Sequence, residues 1–439
     1  MHVIVIGAGV VGTTTAWYLR EAGFDVEVVE RAAEAAAETS HANGGLLHVS
    51  HAEPWNSPGA LRQALAWIGR RDAPMLLRPS QIHRLLPWGV GFLRHCRPGV
   101  FAERTRANAR LALFSLAEFR ALCARLELGH VSRRSGVLKL FFDTASLERA
   151  ISRLALTEGL GVRCVVLDPG EAVAREPALR PVADRLVGTV HYPDDETGDA
   201  RLFTLELARR AEAAGVRFSF GTVVRRLTMA NGRVTGLETS AGRLRADAYV
   251  LAAGSHSVAI AAQVGVRLPI MPVKGYSVTL PVAHWPDPPQ VGVVDDARKI
   301  VIANLGDRLR VAGTAEFAGY QQRLPPERVE ALVRHARHSF PSLRFRAEDS
   351  QPWCGLRPVS ADGTPIIGPS PVPNLSLVVG PGHLGWTFAC GMARLLAAHL
   401  LGEPVDLAYR LERFPPSLLA ACRASLKRPV RTSCDTHAS

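Results

Sequence analysis

None of the seven cysteines (Cys96, Cys123, Cys164, Cys354, Cys390, Cys422, Cys434) forms a C-x-x-C pair, and their number is odd. That argues against a disulfide framework and a Cys-rich zinc site, and points to a reducing, cytoplasmic compartment. No stretch reaches the ~18 apolar residues that a membrane span requires, so any bilayer contact is expected to be peripheral. The apolar start from His2 to Leu19 lacks a basic leader and is broken by Gly7, Gly9, Gly12 and the run Thr13 to Thr15. It reads as part of the fold, not as a signal peptide. Repeats, low-complexity segments and long Lys/Arg runs are also missing. What remains is an ordinary globular composition, 47% hydrophobic and 21% charged over 439 residues, enough for two or three domains or one two-lobed enzyme. The excess of 52 basic over 40 acidic residues is scattered, so a solvated basic surface explains it as well as an anionic partner does.

The N-terminus reads as a βαβ unit: a β-rich run at His2–Ile6, a helical pattern at Val10–Ala22 and an alternating strand at Asp25–Glu30. Ala60 to Leu128 is helical in pattern, with Pro74, Pro79, Pro87 and Pro98 expected to interrupt it. Strands are expected at Val137–Phe142, Val162–Leu167, Arg217–Val224 and Ala248–Ala253, and a helix near Thr204–Ala214. Lys299–Ala303 and Leu309–Gly313 pattern as a hairpin, a helix starts around Pro325 and Pro326, and Leu375–Val379 leads through a glycine loop into a helix at Trp386–Leu400. From about Pro416 the pattern fades into what reads as a partly mobile tail.

Gly7-Ala-Gly9-Val10-Val11-Gly12 fits G-x-G-x-x-G, a pattern that is weak alone in a chain with 38 glycines. Its context strengthens it. The loop joins a strand to a helix whose first N–H groups suit a pyrophosphate, and Glu30 ends the next strand where a carboxylate accepts ribose hydroxyls. A free 2′-OH is implied, so NAD and FAD both remain open. A second match, Gly380-Pro-Gly382-His-Leu-Gly385, has no convincing acidic strand after it and is better read as aiming a helix N-terminus at another anionic atom. The cluster Asp194, Asp195, Glu196 and Asp199 lacks the calcium-loop pattern and reads as a structured acidic loop; no metal site is expected. His41, His48 and His51 lack ligand spacing and read as surface or packed imidazoles.

Several segments then converge: VIGAGVVGTTTAWYL near the start, ETSHANGG from Glu38, PDDETGDARLF from Pro193, PVKGYS from Pro272, GLRPVSADGTPIIG from Gly355 and HLGWTFACG from His383. In order and spacing the chain resembles the bacterial FAD-dependent D-amino acid dehydrogenases of the small-subunit type, within the D-amino acid oxidase-like flavoproteins. The resemblance implies an α/β fold with a Rossmann-type FAD-binding domain (residues 1–80, 196–268 and 351–415), an inserted α+β substrate domain (81–195 and 269–350) and a tail (416–439). It implies FAD contacts at Gly7, Gly9, Val10, Val11, Gly12, Glu30 and Arg31, and near the pyrophosphate at Thr39 and Ser40. Asn43, Gly44, Gly45 and Leu46 would run beside the flavin ring, Val224 would meet adenine, and Gly254 would make a second strand-end contact. Gly382, Leu384, Gly385, Trp386 and Thr387 would place a helix N-terminus at the flavin edge. Arg357 matches the arginine that pairs with an amino-acid carboxylate, Tyr276 is a candidate phenolic donor to the same group, and His383 is the histidine expected nearest the reacting atoms. Lys274 is a weaker candidate. The chain departs from the family pattern at Gly380-Pro381-Gly382 and at Gly44-Gly45-Leu46.

The implied reaction is oxidative deamination of D-amino acids to 2-oxo acids and ammonia by hydride transfer to flavin N5, with no side-chain base required. A cyclic or N-alkylated amino acid as substrate, a tRNA-modifying role and a non-catalytic flavin-binding role stand as alternatives, nucleic acid being the less expected partner. A quinone or another carrier is the expected electron acceptor. The aromatic-basic stretch Trp67, Arg70, Arg71, Trp88, Phe92 and Arg94 is a candidate for peripheral docking on the inner face of the plasma membrane, against the alternative that its aromatics are core.

Overall fold

The strand His2–Ile6 is four-fifths β-branched and has no exposed residue, which suits a central position in a parallel sheet. In the computed structural model, which describes residues 1–62, 73–78, 81–283, 285, 287–345 and 347–422, it lies between Asp25–Val29 and Ala248–Leu251, parallel to both. Arg217–Ser219 extends the sheet beyond Asp25–Val29, while Leu375–Val379 and the antiparallel Ile366–Pro369 extend it beyond Ala248–Leu251. Its side chains alternate between two cores. Val3 and Val5 face the helices Val10–Glu21, Pro98–Arg125, Ala200–Ala213 and Gly385–Leu400. Ile4 and Ile6 face a three-stranded antiparallel sheet, Val224–Ala230, Arg233–Thr239 and Gly242–Leu244.

A second, nine-stranded sheet carries the other lobe. Its spine is the long strand Ile270–Pro281, antiparallel to both Gln351–Ser360 and Arg308–Phe317. The helix Pro326–Ser339 covers one face, with Leu332 and Ala336 packed among Val278, Leu280 and Val311. Two strands fall across the expected division of the chain: Met75–Leu77 pairs with Arg308–Phe317, and Gln351–Ser360 is an edge of this larger sheet.

Four local expectations need correction. Pro87 lies inside the helix Ile82–Arg94 and does not end it. Trp88 beside it is buried, donates Nε1–H to the Val359 carbonyl at 2.9 Å and packs on Phe92, so tertiary contacts outweigh the lost backbone bond. Arg217–Val224 is not one strand. At Gly221 (φ +65°) the backbone turns over the end of Asp25–Val29, with Gly221 N–H on the Ala32 carbonyl and Thr222 N–H on the Glu30 carbonyl. The strand expected from Val162 begins only at Val165. Pro416–Ala421 is helical, and Leu418 is buried against Gly91 of the Ile82–Arg94 helix; residues beyond 422 lie outside the described residues.

The docking stretch divides as well. Trp88 and the half-buried Phe92 belong to the core, while Trp67, Arg70 and Arg71 lie outside the described residues. Among the described residues no helix is long and apolar enough to cross a membrane.

A buried ion pair anchors the C-terminal segment: Arg413 Nε and Nη2 bond Asp362 Oδ2 and Oδ1 at 2.7 and 3.0 Å, with side-chain exposures of 3% and 0%. Burial alone would raise the Asp362 pKa, but the Arg413 guanidinium overrides it and holds the carboxyl below its usual range. The pair's contribution is therefore complete above the unfolded carboxylate pKa and is lost as pH falls through the lower folded value. Asp362→Ala leaves a buried guanidinium unpaired, and a loss of about 3–5 kcal/mol in urea unfolding is expected, shrinking as the pH is taken below ~3.9.

Candidate active site

Gly7 follows the central strand at φ +108°, and a Cβ there would sit 2.8 Å from the Ala252 carbonyl oxygen. A Cβ on Gly12 would overlap the Gly7 carbonyl oxygen itself, so the turn closes only without side chains at both positions. The turn delivers the chain into the helix Val10–Glu21, whose N-cap Gly9 has no capping side chain and leaves N–H groups for a ligand. Ser40 Oγ accepts the Val10 N–H at 3.0 Å, which fixes the Thr39–Ser40 loop against this end. Glu30 is fixed too: its carboxylate accepts from Ala8 N–H at 2.7 Å and Ala32 N–H at 2.8 Å, with lone pairs left for hydroxyls.

These elements form one end of a cavity of about 370 Å³ that runs between the lobes. Its walls include Gly7, Gly9, Val10, Val11, Glu30 and Arg31 at the nucleotide end, with Val224 and Gly254 beside them. Thr39, Ser40, Asn43 and Gly44 continue the wall toward the other end, where Gly382, His383, Gly385 and Trp386 bring in the second helix N-terminus. The remaining expected cofactor residues stand behind the wall. Gly12 packs on Gly7, Leu46 is in the core with Val137 and Ala303, and Leu384 is buried with the helices. Gly45, at φ +71°, has its N–H on Asn43 Oδ1, and Thr387 Oγ1 accepts the His48 N–H at 3.2 Å.

Arg357 is the most telling side chain. It comes from the edge strand Gln351–Ser360 and lies over Gly275 of the neighbouring strand, where any Cβ would collide with its guanidinium. Its Nη1 donates to the Thr314 carbonyl at 2.8 Å, a carbonyl presented by an irregularity where Arg308–Phe317 carries an extra residue against Ile270–Pro281. Thr314 itself has φ +58°. Among the described residues no carboxylate pairs with Arg357, and desolvation lowers its pKa to about 10. A half-buried cation on a cavity wall, with no carboxylate partner among the described residues, has hydrogen-bond donors to offer an anionic group. Trp55 lies 5.8 Å from the guanidinium carbon, close enough for a cation–π contact.

Tyr276 does otherwise than expected. In the register of the two strands it pairs with Cys354, an odd number of positions from Arg357, so its side chain leaves the opposite face of the sheet. There its hydroxyl donates to the buried Glu316, which Arg78 and Lys274 also neutralise. Burial, and then that carboxylate, raise the phenol far above its usual pKa. Tyr276 is among the residues that line the cavity, but its hydroxyl is engaged by Glu316, and Lys274, with Nζ 3.2 Å from Glu316 and 3.1 Å from the Arg323 carbonyl, is held by the same carboxylate.

His383 does border the cavity, and it is not alone. Its ring stacks on Trp55 at 5.4 Å and on His48 at 6.5 Å, and His51 meets His48 edge-on at 5.3 Å. Desolvation lowers His383 to about 4, with Arg357 adding to the shift and the His51 carbonyl opposing it. Desolvation also takes His48 to about 3 and His51 well below its usual value. These imidazoles are neutral. Trp55 and Trp353 escaped the sequence reading: a lone aromatic gives no periodic signal, and only the fold sets Trp353 on the Arg357 face of its strand. The acidic loop is structured. Asp194 and Glu196 pair with Arg163 and Arg120, Asp195 accepts the Val49 N–H at 2.8 Å, and Asp199 caps the helix Ala200–Ala213.

Residues 2–399 match the family model described as FAD dependent oxidoreductase. A D-amino acid dehydrogenase of Paramagnetospirillum magneticum is 44% identical over 405 residues, 92% of this chain and 96% of that one. One of Vibrio cholerae is 40% identical over 397 residues, 90% and 94% of the two chains. Among solved structures, glycine oxidase of Geobacillus kaustophilus superposes with a TM-score of 0.74 at 23% identity, covering 94% of this chain and 98% of that one. At that identity the structural likeness speaks for the fold.

The glycine cradle, the carboxylate at Glu30 and the two helix N-termini fit a flavin dinucleotide. Gly12→Val places a side chain into the Gly7 carbonyl, and the purified variant is expected to lose the yellow visible absorbance of bound FAD; absorbance per mole of folded protein checks it.

Proposed function

The chain belongs to the family of FAD-dependent oxidoreductases, and on that premise we propose that it oxidises D-amino acids to 2-oxo acids and ammonia. The observation that carries this reading is Arg357, a desolvated guanidinium with no carboxylate partner among the described residues, on the wall of the cavity the glycine loops open into. The relatives named D-amino acid dehydrogenase, aligned over nearly the whole chain, support the handedness. FAD, when bound, supplies the acceptor for the two electrons. The chain's own residues bind and orient: Arg357 holds the carboxylate, Thr314 and Trp55 hold Arg357, and the apolar walls exclude water from the Cα–H. The uncharged amine is the form that gives up hydride, and the imine product is hydrolysed by water, so no side-chain base is needed.

Electron transfer onward to a quinone or similar carrier at a membrane surface completes the proposal. What supports it is the outer face of the helix Ile82–Arg94, where Ile82, Leu86, Val90 and Leu93 are exposed at helical spacing, Leu86 at 61%, beside exposed Arg94 and Arg97. Such a face suits the boundary of an anionic bilayer.

Anaerobic D-alanine is expected to bleach the flavin spectrum and L-alanine to leave it unchanged; bleaching by both enantiomers or by neither would sink the reading. Arg357→Leu removes two charged hydrogen bonds to the carboxylate, each worth roughly 1.5–3 kcal/mol, so kcat/KM for D-alanine should fall about 10²- to 10⁴-fold, most of it in KM. Wild-type protein is expected to sediment with anionic vesicles at low salt and Leu86→Asp/Val90→Asp to stay in solution; equal behaviour of the two removes the docking surface.

A further inference from the structure

The stack Arg357, Trp55, His383 contains a second recognition element, and the inference drawn from it rests on the amino-acid reading above. His383 Nε2 lies 3.3 Å from the His51 carbonyl oxygen. A carbonyl only accepts, so the ring nitrogen facing it carries the hydrogen, and in a neutral imidazole the other nitrogen, Nδ1, is then an acceptor with a lone pair. The ring cannot readily become a cation, because it is desolvated and a guanidinium already occupies the neighbourhood. Its plane is fixed by Trp55, nearly parallel at 19°, and by His48 at 27°. Trp55 meets Arg357 and His383 alike, so one indole places a cation and a neutral acceptor on the wall of the same cavity.

An α-amino acid presents the complementary pair, an anionic acceptor and a nitrogen bearing hydrogens on adjacent carbons. We infer that Nδ1 of His383 accepts a hydrogen bond from the substrate's amino group, with Trp55 and the His51 carbonyl acting as positioning groups for that ring. Arg357 alone would admit any small carboxylate. His383 makes the site select for the amine and fixes which hydrogen on Cα faces the oxidant's side of the cavity. Its role is orientation, and no proton leaves the substrate for the ring.

The test uses the FAD-loaded enzyme and two ligands without a Cα–H to lose: 2-aminoisobutyrate, which carries carboxylate and amine, and pivalate, in which a methyl replaces the amine. Kd is read from the perturbation of the flavin visible spectrum, so turnover is not involved. His383→Phe keeps a ring against Trp55 but removes the acceptor, and is expected to weaken 2-aminoisobutyrate about tenfold, the scale of one hydrogen bond, while pivalate changes less than about twofold. His383→Gln, which regains an acceptor oxygen, should recover part of the loss and guards against a folding defect in the Phe variant. Arg357→Lys should weaken both ligands. Equal weakening of both ligands by His383→Phe, or no weakening of either, overturns the assignment. If wild type binds pivalate as well as 2-aminoisobutyrate, the His383 inference falls and the carboxylate site stands; if it binds neither, the amino-acid reading falls and takes the inference with it.

Discussion

Everything in this protein is hung on one strand. His2–Ile6 is buried on both faces from Val3 onward and pairs on both edges, so its two neighbours and both covering layers must be supplied by the rest of the chain. One neighbour comes within 25 residues, while the other comes from Ala248–Leu251, long after the chain has built much of a second lobe. Parallel pairing forces such detours, because a crossover is needed between each pair of strands. The strand also fixes the chemistry. It ends at Gly7, whose carbonyl oxygen is in the space a Gly12 side chain would need, and that close turn opens the cavity at the sheet's carboxyl edge.

The electrostatics of the cavity are arranged by exclusion. Glu316 gathers Tyr276, Lys274 and Arg78 on the far side of the larger sheet, and Asp362 takes Arg413. The histidines around Trp55 are kept neutral by desolvation and by each other. Arg357 is left as a cation with a backbone carbonyl and an indole for company and, among the described residues, no carboxylate partner, and the proposed function rests on that surplus charge.

Much of this was legible beforehand because it is encoded locally. The first βαβ unit, the hairpin at Ile300–Asn304 and Arg308–Phe317 and the helix after Leu375–Val379 follow from period and turn chemistry. Errors arose where tertiary contacts override local signals. Pro87 sits in a helix because Trp88 and its neighbours are packed, and the Arg217 strand stops because Gly221 turns across Glu30. Tyr276 looked like a ligand for the substrate because it stands in a motif with Gly275, and strand alternation sends its side chain to the other face.

The order and spacing of the motifs determined the class of fold and the dinucleotide cradle and, through the family resemblance they carry, pointed to the flavin chemistry and to Arg357 as a candidate, since glycines that must lack a Cβ and an arginine in a fixed segment are properties of residues. Which of those residues meet was decided by the tertiary structure alone. The bulge at Thr314 that holds Arg357, the indole of Trp55 beside it and the His51 carbonyl that sets the His383 tautomer come from segments about 40 to 330 residues apart from their targets. No local pattern records such distances, because they are set by the register between strands and by how two sheets pack around one cavity.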